Sequence, residues 1–106
     1  MGLEVIDEID AVGIDRETDD VVLLILDSWG WADEREHLAA LQGKINAYFS
    51  FVESGEIYGP YPTAAGKRMR IDVIGRYTLP PAASAFIERA SLAAEELGLV
   101  VRHRIN

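Results

Sequence analysis

The sequence predicts an α+β fold: a two-layer α/β sandwich whose four-stranded sheet carries two helices on one face, in the order ββαβαβ. Two stretches repeat apolar residues at helical spacing and predict the helices. Residues 68–77 alternate apolar and charged side chains, as a strand covered on one face does. Residues 21–26 are an unbroken run of Val, Leu and Ile, the pattern of a strand buried on both faces. A chain of 106 residues with 49% hydrophobic and 26% charged side chains is long enough for one core, so residues 1–106 form a single domain.

Residues 4–14 place Val5, Ile6, Ile9, Val12 and Ile14 among acids and read as an irregular first strand, bulged near Asp10. Residues 15–20 are a polar turn, and the run 21–26 returns as the second strand of a hairpin. Residues 27–32 connect it to the first helix. Asp33 followed by Glu36 fits a capping box, and both carboxylates suit a helix N-terminus. That helix runs to about Ser54, with Leu38, Leu41, Ile45, Tyr48, Phe49 and Val52 on its apolar face, and Gly55 ends it. Residues 56–66 are a loop. In the third strand, 68–77, Met69, Ile71, Val73 and Tyr77 share one face and Arg68, Arg70, Asp72 and Arg76 the other, with Ile74 on the polar side. Pro80 and Pro81 open the second helix, whose buried face holds Phe86, Ile87, Ala90, Ala93, Ala94 and Leu97, and Gly98 closes it. Residues 99–105 are the last strand. The pattern does not specify the strand order.

Net charge is −8, with 10 basic against 18 acidic side chains, which disfavours phosphate backbones and anionic membrane surfaces. No nucleic-acid or membrane partner is expected, and the longest apolar run is far too short to span a bilayer. The absence of cysteine excludes disulfides, thiol nucleophiles and Cys-ligated metals. The acidic N-terminus lacks a signal-peptide pattern, so a cytoplasmic location is expected. Charge is also sorted along the chain. Residues 1–36 hold twelve acids and two bases, residues 67–76 four bases and one acid, and residues 99–106 two bases and no acid. Acidic and basic strands of one sheet pair across its open face. An anion patch of Arg70, Arg76, Arg102 and Arg104 is the weaker alternative.

The chemistry-bearing residues form no catalytic signature. His37 stands one helical turn after Asp33, but no Ser or Cys nucleophile accompanies it, and a surface histidine held by a nearby acid is the expectation. His103 falls in an apolar row and reads as a partly buried structural histidine. No metal motif is present and no cofactor is implied. Trp29 and Trp31 flank Gly30 beside the first helix, where they serve as a hydrophobic staple or as contact residues with Asp33 and His37. Tyr58 and Tyr61, on a loop stiffened by Pro60 and Pro62 and followed by Lys67, are candidate partner contacts.

The stretch from His37 to Tyr58, followed by Tyr61-Pro62-x-Ala64-x-Gly66-Lys67, resembles a family of small bacterial proteins of about this length that form a domain of unknown function. The likeness covers nearly the whole chain, including Trp31-x-Asp33, and implies no activity. It places Ala64 and Gly66 in the loop and Asn46 on the polar side of the first helix.

The functional expectation therefore rests on the second strand. Being apolar on both sides, it must turn Val22, Leu24 and Leu26, or their neighbours, away from the helices, with Ile74 nearby. A homodimer through the open sheet face, rimmed by Arg70, Arg102 and acids, would cover that row. The chain thus reads as a non-catalytic interaction module that self-associates through its sheet, with a second protein partner at the 56–67 loop. The alternatives are an acidic inhibitor or immunity-type protein for a basic enzyme, and a small-ligand binder or enzyme near Trp29–His37.

Overall fold

The computed structural model describes residues 2–106. Strands β1 (Ala11–Ile14), β2 (Val21–Asp27), β3 (Met69–Gly75) and β4 (Leu99–Ile105) form one sheet in the order β1-β2-β3-β4. β1 runs antiparallel to β2, and β2, β3 and β4 are mutually parallel. Helix α1 (Glu34–Glu53) connects β2 to β3, and α2 (Pro81–Ala94) connects β3 to β4. Both crossovers step in the same direction across the sheet. The right-handed rule then puts both helices on the same face, as expected from the one-sided alternation of β3. That arrangement is the two-layer α+β sandwich of order ββαβαβ.

The core lies between sheet and helices. Leu23, Ile25, Ile71, Val73, Leu99 and Val101 point inward and meet Leu41, Ile45 and Tyr48 of α1 and Ile87, Ala90 and Ala94 of α2. Ile57 and Ala64, each within a single 3₁₀ turn of the 56–66 loop, close one end of it. Asp33 caps α1 as the sequence predicts, its carboxylate accepting the Glu36 N–H at 3.0 Å.

Four expectations are corrected. The first strand is confined to 11–14, while residues 2–10 are turns that bring Leu3 into the core. The reason lies in two buried groups. Lys44 donates to the carbonyls of Val5 and Glu8, both at 2.6 Å, and to Asp10 Oδ1 at 2.8 Å. Asp10 Oδ2 accepts the Leu26 N–H of β2 at 2.9 Å, in place of the backbone carbonyl that a longer first strand would supply.

The buried stripe of α1 is correspondingly His37, Ala40, Leu41, Lys44, Ile45 and Tyr48; Leu38, Phe49 and Val52 only flank it. The third strand ends at Gly75, so Tyr77 lies beyond it and is 51% exposed instead of sharing the face of Met69, Ile71 and Val73. On α2, Ala93 faces out and Ala83 is buried in its stead.

Candidate functional site

Parallel strands β2, β3 and β4 end together, and the chain's unusual polar groups gather there. Inward alternation along β2 continues past Ile25 to Asp27, which is buried. In the register Asp27 lies beside Gly75 of β3, and Gly75 beside Ile105 of β4. The first turn of α1 delivers His37 to the same place, and its ring is 1% exposed.

His37 Nε2 lies 2.6 Å from Asp27 Oδ2, and Nδ1 lies 2.8 Å from the Gly30 carbonyl. The Gly30 carbonyl can only accept, so Nδ1 donates in that bond, and Nε2 is left to face the Asp27 carboxyl. Trp31 stacks on the imidazole, with ring centroids 3.5 Å apart and planes 15° apart, and Trp29 leans on it from 5.7 Å. The Trp29 N–H donates to Asp27 Oδ1 at 3.1 Å, and its indole N–H to Glu4 at 3.3 Å. The 27–33 connection is thus tied to strand, helix and N-terminal segment at once.

His103 completes the group. A methyl placed on Gly75 would come 2.5 Å from His103 Nε2, so only glycine leaves room for the ring. Burial pushes the His103 imidazole below its ordinary pKa; the Asp27 carboxylate opposes that shift and His37 adds to it.

The sequence-predicted residues divide between two ends of β2, which spans roughly 20 Å at strand rise. Trp29, Trp31, Asp33 and His37 meet at its carboxyl end. His37 is not the surface histidine expected beside Asp33: its partner is Asp27, and Asp33 serves the helix cap. Tyr58 and Tyr61 belong to the loop at the other end and are 42% and 37% exposed. Tyr61 borders a small apolar hollow with Val12 and Ile14. Lys67, also there, is paired with Asp19 at 2.6 Å.

Asp27, Asp10 and Lys44 were not singled out by sequence reasoning. Lys44 left a readable signal, for it is the one cation inside the helical stripe 37, 41, 45, 48. Chemically, Asp27 and His37 are both buried and bond to each other, with the Gly30 carbonyl as the second partner of the ring. No group of three His, Asp or Glu side chains is placed to hold a metal ion among the described residues either.

Among the described residues, the opposite face of the sheet carries no helix. Its side chains form three rows across the strands in register: Gly13, Val22, Arg70, Val100; then Ala11, Leu24, Asp72, Arg102; then Leu26, Ile74, Arg104. Arg70 reaches from β3 across Val22 to Asp15 at 2.8 Å and Asp20 at 3.2 Å, and also meets Asp72 at 3.2 Å. Arg102 reaches the same Asp72 at 3.4 Å. The acidic turn and the basic strands therefore pair across this face, as the sorted charges predict, and Arg70 is not a free anion site. Arg70 also holds the Asp15 carboxyl below its ordinary pKa through their hydrogen bond. Val22 is left 8% exposed beneath this network, while Leu24, Leu26 and Ile74 are half-buried and Val100 is 49% exposed. The apolar row is narrower than three full side chains.

No helix of the described residues is long and apolar enough to cross a membrane. No curated protein and no solved structure matches the chain. A family model described as a family of unknown function, DUF6572, matches residues 1–106 from end to end, in keeping with the resemblance read from the 37–67 stretch, and the chain belongs to that family.

Proposed function

We propose that this protein is a non-catalytic interaction module that pairs with a second copy of itself through the open face of its sheet. One observation carries the reading: Leu24, Leu26 and Ile74 form an apolar centre on the open face that no helix or strand among the described residues covers. Half-buried aliphatics in one contiguous strip favour burial against another surface. The rim suits a second copy, because it presents both signs of charge. Asp15 and Asp20 stand at the β1–β2 side, and Arg102 and Arg104 at the β4 side. A two-fold partner presents the same two sides to the first copy, so acids can face bases.

The polar cluster at the strand ends supports a non-catalytic reading. Its hydrogen bonds close on themselves, and Trp31 covers the His37 ring. With no cysteine in the chain, a bacterial cytoplasmic location fits the same reading. Light scattering at micromolar concentration tests the pairing. A dimer that Leu24→Lys converts to a folded monomer is the expected result, and a wild-type monomer would remove the proposal.

A second reading, an acidic inhibitor for a basic enzyme, is favoured by one separate observation. Trp29, Asp33 and Glu36 border a shallow hollow, and Glu4 bonds the Trp29 indole beside it. Acids around an aromatic ring suit a basic side chain. A basic protein co-purifying with the chain in low salt and released by high salt would support this reading; a complex indifferent to salt would reject it.

A further inference from the structure

Among the described residues the sheet has a second unpartnered feature, its outer edge along β4. Asn106 donates its N–H to the Gly75 carbonyl at 2.9 Å, which fixes the direction of alternation. Even-numbered residues of β4 bond inward to β3, and odd-numbered ones turn N–H and C=O outward. The Val101 N–H is met there by Ser91 Oγ of α2 at 3.4 Å. Beyond it, His103 and Ile105 face the position a fifth strand would occupy. We propose that this edge is a docking site for an extended acidic segment of another protein, added as a strand beside β4.

Two features name the chemistry of that segment. Residues 99–106 contain Arg102 and Arg104 and no acid, and both arginines project on the open face two positions apart. Asp or Glu at alternate positions of an incoming strand would stand beside them. Ile105, on the other face and 53% exposed, would meet an apolar residue lying between those acids. A second copy's β4 is a poor occupant. Antiparallel pairing centred on His103 sets Arg102 against Arg104 of the other chain, and centring on Arg104 sets that arginine against itself. The same charges that guard the edge against its own kind therefore select an acidic strand. The opposite edge, β1, has only four residues and ends in an acidic turn. The outward N–H and C=O groups of His103 and Ile105 lie apart from the apolar centre of the open face, while Arg102 and Arg104 are shared with the rim of the proposed dimer, so the test is read at His103 and Ile105.

The test uses the full chain and two fluorescein-labelled synthetic peptides, one alternating Glu and Val, the other Lys and Val, with anisotropy as readout. The Glu/Val peptide should bind saturably and at least tenfold more tightly than the Lys/Val peptide. Its binding should shift the His103 and Ile105 amide resonances more than those of Leu24 and Ile74. Ile105→Pro removes an outward N–H and leaves the ladder to β3 intact, so it should weaken binding tenfold or more in a protein that still folds. Arg102→Glu with Arg104→Glu should reverse the preference between peptides. Equal binding of the two peptides, binding of neither, or shifts centred on Leu24 and Ile74 would overturn the proposal. Concentration-dependent shifts at His103 and Ile105 without peptide would also overturn it, by showing a second copy at the edge.

Discussion

Lys44 enters the interior with all three ammonium protons assigned, to two carbonyls of the N-terminal segment and to the Asp10 carboxylate. Asp10 in turn accepts the N–H groups of Gly2 and Leu26 and donates its own N–H to the Tyr48 hydroxyl, whose proton goes to the Leu24 carbonyl. Burial holds the Tyr48 phenol far above its ordinary pKa, so it keeps the proton that this chain of bonds needs. Removing one member strands a buried charge. Lys44→Met is expected to cost about 3–5 kcal/mol in urea unfolding, the scale for breaking a buried pair. Adding Asp10→Leu should not restore that loss, because the Leu26 N–H then loses its acceptor too.

His103 makes a pH prediction. Its folded pKa lies below its ordinary value of 6.5, so below about pH 6.5 the unfolded chain takes up a proton that the folded chain refuses. Stability from this residue is therefore full above that pH and falls as pH drops, by at most about 1.4 kcal/mol per pH unit. The slope of unfolding free energy between pH 7 and 5 should be shallower in His103→Gln.

Among the elements, those governed by local pattern were legible and those governed by a distant partner were not. The α1 cap, the β2 and β4 spans and the α2 start follow from Asp33 and Glu36, from aliphatic runs and from Pro80-Pro81. Residues 2–10 carry strand-like apolar spacing, yet their path is set by Lys44, more than thirty residues away, which no local rule links to them. Tyr77 fitted the alternation of β3, but the strand ends at Gly75, where His103 packs against the backbone. Asp27 continued the inward face of β2 in plain sight, and only the fold reveals that His37 lies beside it. Gly75→Ala tests that packing. It should destabilise by about 1–3 kcal/mol through contact with His103, and pairing it with His103→Ser should recover part of the loss. Asp33→Ala should cost about 0.5–2 kcal/mol, as for an ordinary N-cap.

At the scale of the whole molecule, sorted charge and one doubly apolar strand prescribe the layout. Helices cover one face, and the acidic turn meets Arg70 on the other. Strand order was not legible, because pattern fixes which face is buried and leaves neighbours open. The extent of the bare apolar patch was not legible either: it depends on Arg70 folding over Val22, a conformation that sequence spacing does not encode. Pairing through this face should weaken at high salt less than an ion-pair interface would, since its centre is Leu24, Leu26 and Ile74. The most direct test is the sedimentation velocity of the wild-type chain beside Leu24→Lys, across a concentration series. Self-pairing predicts a concentration-dependent dimer in the wild type and a folded monomer in the variant. A wild-type monomer throughout, or a dimer untouched by Leu24→Lys, would contradict it.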